Sequence, residues 1–163
     1  MRFRTACLLC VVAWSCCVSQ ADEWPRFRGP NGEGKSALKG VPTQWTMEDY
    51  EWVVELPGKG HSSPCVWGEN LFVTTGTDAG ERMILCLNAL TGEKKWSDGT
   101  QLEASHLHKK NSYGSGTPAT DGEHVYVAFA DENQYLVNAY TMAGEKVWSQ
   151  NLGVFLSQDT RRC

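Results

Sequence analysis

Apolar residues along this chain gather in short runs separated by polar, glycine-bearing breaks. Short runs of that kind, bounded by turn residues, belong to β-strands. Eight runs stand out: 63–66, 70–75, 83–89 and 94–97, then 117–120, 124–130, 135–141 and 146–151. Val, Tyr, Phe, Leu and Ile fill them, and the breaks hold Trp67-Gly68-Glu69-Asn70, Thr91-Gly92, Asp121-Gly122 and Ala143-Gly144. Gly92 and Gly144 suit the positive-φ position of a tight hairpin turn. No stretch carries a helical period, so the expected fold class is all-β.

The eight runs are two copies of one unit. Pro64, Gly68, Glu69 and Val73 recur 54 residues later as Pro118, Gly122, Glu123 and Val127. Thr91-Gly92-Glu93-Lys94-Lys95-Trp96 recurs at an offset of 52 as Ala143-Gly144-Glu145-Lys146-Val147-Trp148. A twisted four-stranded unit of about 40 to 50 residues, needing neighbours to bury its faces, is the building block of a β-propeller. The expectation is a partial β-propeller of about two four-stranded blades, 58–98 and 114–152, joined by a loop at 99–113. Tyr50-Glu51-Trp52-Val53-Val54-Glu55-Leu56 resembles the segments around Trp96 and Trp148. Residues 50–57 are therefore expected as the outer strand of a partial blade, behind an N-terminal extension at 22–49. Trp52, Trp96 and Trp148 recur once per unit. Because aromatic rings carry the largest burial per residue, the expected role is a girdle in which each indole packs against the next blade.

Charge and cysteine content change the picture only at the ends. Arg2 and Arg4 precede an apolar run at 6–18, and Ser19-Gln20-Ala21 supplies small residues for cleavage, so 1–21 reads as a signal peptide. The run is too short to span a membrane, and Trp14-Ser15 before Cys16 makes a poor lipidation site. Export to the periplasm or the medium is the expectation. Cleavage removes Cys7, Cys10, Cys16 and Cys17, leaving Cys65, Cys86 and Cys163. Three scattered cysteines are neither a disulfide framework nor a zinc site. The mature chain keeps 13 basic and 19 acidic residues, a net charge of −6. With no basic stripe it is not suited to nucleic acid or to an anionic membrane surface.

Cys86-Leu87-Asn88-Ala89-Leu90-Thr91-Gly92-Glu93-Lys94-Lys95-Trp96 resembles the eleven-residue tryptophan-docking motif of the pyrroloquinoline-quinone repeat. Asn88 stands where that motif has an acidic residue. Residues 138–148 fit it more loosely, with Asn138 at the small position, Tyr140 at the acidic one and Ala143 in place of Thr. Trp24-Pro25-Arg26-Phe27-Arg28-Gly29-Pro30-Asn31-Gly32 resembles the opening of exported bacterial proteins with this propeller. The resemblance covers roughly 24–156 and implies the fold. The superfamily includes quinone-dependent alcohol dehydrogenases, which hold the quinone and calcium on the propeller axis beneath a vicinal disulfide. It also includes an outer-membrane assembly lipoprotein that binds protein partners and no quinone. A shared fold leaves function to the site.

Two loops lead into the innermost strands and are expected to rim the central channel. They place His61, Ser62 and Ser63 in one and Asn111 and Tyr113 in the other. His61 is a candidate ligand or base and Tyr113 a stacking or hydrogen-bonding group; the competing reading is that these residues satisfy strand ends and turns. His106-Leu107-His108 is half a metal site in extended chain. It lacks a third ligand and has Lys109 and Lys110 beside it, so no metal is expected. Asp131-Glu132-Asn133 lacks the spacing of a calcium loop, and no phosphate loop or nucleophile elbow occurs. No catalytic residue is identified.

A complete propeller of seven or eight blades needs about 300 to 400 residues, and 142 remain after residue 21. Asp159-Thr160-Arg161-Arg162-Cys163 departs from the repeat, so residues 153–163 are expected to be an aberrant tail of a truncated product. Open blade edges then predict self-association. The expected function is an exported, non-catalytic scaffold or binding module, with protein partners or a small ligand at the channel rim and no cofactor. The alternative is a truncated quinoprotein alcohol dehydrogenase using pyrroloquinoline quinone and calcium.

Overall fold

The computed structural model of the chain describes residues 23–154; the leader at 1–21 and the tail from residue 155, with Cys163, lie outside them. Eight strands succeed one another as β1 (Cys65–Trp67), β2 (Asn70–Gly76), β3 (Glu81–Asn88), β4 (Lys94–Gln101), β5 (Ala119–Thr120), β6 (His124–Ala130), β7 (Tyr135–Thr141) and β8 (Lys146–Asn151). They form two antiparallel sheets, ordered β1-β2-β3-β4 and β5-β6-β7-β8. Each sheet is one blade, and no described residue is in an α-helix. A single 3₁₀ turn at Met47–Asp49 is capped by Thr46, whose N–H donates to Asp49 at 2.7 Å. The all-β fold and its two four-stranded blades are as the repeat implies.

Where strand ends depart from expectation, hydrogen bonding overrides side-chain pattern. β4 continues past Ser97 through polar Asp98, Gly99, Thr100 and Gln101 because each faces a β3 partner, from Ile84 to Glu81. β3 for the same reason begins at Glu81. Blade 1 therefore reaches beyond residue 98, and the connecting loop starts at Leu102. β5 is only two residues long: the preceding Pro118 has no N–H to pair, and the Thr117 hydroxyl accepts from Ser63 N–H at 3.1 Å. Residues 50–57 join no ladder among the described residues, since each blade already has its own fourth strand.

The blades meet along their first strands, and the chain repeats its geometry across the joint: Gly60 bridges Gly114 in parallel. Both blades thus share one orientation. The loops at 58–64, 77–80, 102–118 and 131–134 gather on one face, and the turns at 68–69, 89–93, 121–123 and 142–145 gather on the other. Between the sheets lies the core, with Phe72, Ile84 and Cys86 from blade 1 against Val125, Val127, Phe129 and Tyr140 from blade 2. The Trp96 ring sits between Phe72, at 5.9 Å, and Tyr140, stacked at 5.8 Å. Burying Phe72 or Tyr140 stabilises the joint by about 2–3 kcal/mol each.

Candidate functional site

The loops expected at the channel rim do come together. His61 and Ser62 both donate their backbone N–H to the Gly114 carbonyl, each at 3.0 Å. Ser62 Oγ donates to the Thr74 carbonyl at 3.2 Å and accepts from Thr74 N–H at 3.1 Å. Asn111 N–H donates to the His108 carbonyl, and its side-chain oxygen accepts from Ser112 N–H at 2.9 Å. These groups close turns and strand ends, and the His61 imidazole is exposed. His106 and His108 belong to the loops of the same face, and no three His, Cys, Asp or Glu side chains among the described residues converge to hold a metal.

Tyr113 is spent on structure. Its hydroxyl donates to the Ser105 carbonyl at 2.5 Å, and the Arg82 guanidinium lies 3.8 Å over its ring. The Tyr113 Cβ sits against Gly76, where an added methyl would approach it to 2.6 Å. Arg82 is buried at 1 % exposure. It donates to the carbonyls of Gly80 in blade 1, Leu102 and Glu103 in the connecting loop, and Ala130 in blade 2, the last two at 3.0 and 3.3 Å. Burial lowers its pKa, while Tyr113 and Asp131 pull it back up. A guanidinium reaching both blades and the loop is a clamp, and periodicity could not find it. Its only sequence signal is a charged residue at the edge of the apolar run Met83–Leu87.

The channel-side edge of the first strands is also occupied. Trp24 and Val66 exchange backbone bonds at 2.9 and 2.8 Å, and the Pro25 carbonyl accepts from Thr120 N–H at 2.8 Å. The N-terminal segment therefore adds a short antiparallel step along β1 and touches β5. Sequence reading missed it because its partners lie about 40 and 95 residues away.

On the opposite face the repeated tryptophans use the repeated turns. Trp52 Nε1 donates to the Ala89 carbonyl at 3.2 Å, and its ring covers Gly92 so closely that a Cβ there would lie 2.6 Å away. Trp96 Nε1 donates to the Met142 carbonyl at 3.0 Å and covers Gly144, again at 2.6 Å from an added Cβ. Both glycines have positive φ, 75° and 92°. Each is thus demanded twice, by the turn and by the ring. Trp148 holds the equivalent place in blade 2 but is 43 % exposed.

Asp98 joins the blades electrostatically. It accepts from the Tyr140 hydroxyl at 2.8 Å and pairs with Lys146 Nζ at 2.8 Å. Burial pushes its pKa up, but the Lys146 and Tyr140 bonds outweigh that and hold it below the usual carboxylate range. Burial and then Asp98 push the Tyr140 phenol up. Cys65 and Cys86 are buried and free. Both pair with Phe72, from either side of β2. Two strand spacings, about 10 Å, exceed the roughly 7 Å that a disulfide can bridge. Burial, with Cys86 nearby, raises the Cys65 thiol to about 12, and burial raises Cys86 to about 11 against the opposing Lys95.

A family model described as outer membrane protein assembly factor BamB matches residues 48–159, more than half of the chain. The chain belongs to that pyrroloquinoline-quinone-repeat family. Among solved structures it is similar to a europium-containing methanol dehydrogenase, at 22% identity and a TM-score of 0.38, over 55% of this chain and 15% of that one. It is also similar to BamB from Moraxella catarrhalis, at 24% identity and a TM-score of 0.42, over 61% of this chain and 26% of that one. The chain thus spans only 15% and 26% of the length of these two structures. No curated protein matches it.

Proposed function

We infer that this repeat protein is an exported, non-catalytic scaffold that binds protein partners or a ligand through its blade loops. The observation that carries the reading is the use made of the rim. Tyr113 is locked under Arg82, Ser62 and Asn111 close backbone turns, and Trp24-Pro25 fills the inner edge of the first strands. Those groups are committed to closing turns or to joining the two blades, which supports a scaffold rather than a reaction centre. The leader-like start at 1–21 supports export, and the family description, an outer membrane assembly factor, supports a place at the cell envelope. No described helix is long and apolar enough to cross a membrane.

The quinoprotein alternative asks for a calcium-held quinone. The described residues do not fit it: no three carboxylate, imidazole or thiol groups converge, and Cys65 and Cys86 stand apart across β2. The test is a titration of the mature protein with pyrroloquinoline quinone and calcium, read by absorbance and thermal stability. The scaffold reading predicts no saturable binding and an unchanged Tm. Saturable binding with a raised Tm overturns it.

A further inference from the structure

On the inner edge of β1 the chain acts as its own ligand. Trp24 and Val66 form a complete two-bond antiparallel step, and the Pro25 carbonyl carries it across to Thr120 of β5. The Pro25 carbonyl also takes a contact from Cys65 Sγ at 3.5 Å, and the Glu23 carboxylate accepts from Gly68 N–H at 3.0 Å. Beyond this step the segment closes on itself. Arg26 donates to the carbonyls of Gly29 and Pro30, Gly29 N–H donates back to Arg26, and Gly34 N–H donates to Arg28. Arg28 is held at φ 63°, the single non-glycine residue of positive φ among those described. The Trp24 ring lies over Gly29, 2.8 Å from where a Cβ would stand.

The result is a self-contained hook, gripping the blades by three residues. Behind the hook runs a tether: residues 35–50 are exposed throughout. Extended, sixteen residues reach about 50 Å, ample for the hook to leave the edge and return. Backbone pairing to an open strand edge, with side chains adding selectivity, is how sheets accept peptides. Here edge, occupant and leash are all present.

We propose that the inner edge of β1, with Thr120 of β5, is a peptide-binding seam, that residues 23–25 are its tethered resident, and that an extended aromatic–proline segment supplied in trans exchanges with it. This rests on the binding-module reading above and narrows the partner to a peptide of that chemistry. A tethered resident competes at high effective concentration, so the seam is masked in the intact chain. It is unmasked when the resident is weakened.

The probe is a fluorescein-labelled synthetic peptide with the sequence of residues 23–34, added to the mature chain and to its Trp24→Ala variant. Anisotropy is expected to show binding at least about tenfold tighter to the variant, as release from a tethered competitor requires. In the variant the Val66 and Thr120 amides exchange fast, the peptide restores their protection, and the central-strand amides of β3 stay slow throughout. No saturable binding to a variant whose β3 amides remain slow overturns the proposal. If Trp24→Ala also exposes β3, Glu23→Ala, which removes only the Gly68 bond, decides instead. Tighter binding than to the unaltered chain supports the seam, and equal binding overturns it. Failure here leaves the scaffold reading intact, whereas saturable quinone binding removes that reading whatever the peptide does.

Discussion

Blade 1 and blade 2 are built from one repeat, yet they are not equally buried. In β3 every position from Ile84 to Leu87 is buried, and in its outer neighbour β4 Trp96, Asp98 and Thr100 are partly covered. In β7 burial is confined to Asn138, Ala139 and Tyr140, and all six residues of β8 are exposed. The tryptophans make the contrast sharpest. Trp96 has a glycine turn beneath its ring and a carbonyl for its N–H, whereas its equivalent Trp148 has the Tyr126 ring beside it, at 6.1 Å. The same motif therefore stabilises by different amounts, and the neighbour decides how much. A blade carries half of its own docking site.

Core substitutions should break the contrast most visibly. Phe72→Ala removes a fully buried ring at the joint and should cost about 3–5 kcal/mol in denaturant unfolding. Val147→Ala on exposed β8 should cost less than about 0.5 kcal/mol. Next comes Gly144→Ala, which meets both the Trp96 ring and a positive φ. A loss of about 2–3 kcal/mol is expected, combining overpacking with backbone strain. Gly153→Ala, with the same sign of φ but open space around it, should lose only about 1 kcal/mol. If the two are equal, the ring does not dock on the turn.

Smaller effects come from the titrating groups at the joint. The Asp98 carboxyl is depressed in the folded state, so its contribution is complete above the unfolded value of about 4. That contribution fades as pH falls through the folded value, and Asp98→Asn should flatten the acid limb of a stability profile. The buried thiols act with the opposite sign. Their folded values of about 11 and about 12 lie above the ordinary 9.0. Their contribution is full below the ordinary value and is lost as pH rises through the folded ones. Cys86→Ser should blunt that alkaline loss. Cys65 and Cys86 should also resist alkylation until blade 1 unfolds.

Much of this architecture is legible in the chain. The strands 124–130, 135–141 and 146–151 are found to the residue, because the breaks at Asp121-Gly122, Asp131-Glu132-Asn133 and Ala143-Gly144 bound them. β4 reads short in the sequence, since its last four residues are held by β3 rather than by apolar character. The rim loops are legible too, and their pairing at Gly114 reflects the repeat offset. The roles of the rim residues are harder to see. Tyr113 and Arg82 are 31 positions apart with no shared period, so neither announces the other. The step of Trp24-Pro25 along β1 is equally silent, because so short a segment carries no measurable alternation.

The difference between the blades can be read most directly from indole hydrogen exchange, one signal per tryptophan. Trp52 and Trp96 each donate Nε1–H to a carbonyl of the next turn, at 3.2 and 3.0 Å, and Trp148 stands on the exposed strand β8. The Nε1–H groups of Trp52 and Trp96 should therefore exchange at least about tenfold more slowly than that of Trp148, as closed and open sites do. Equal rates at all three would mean that the turn beneath the ring does not shield it, and blade docking would not depend on the neighbouring turn.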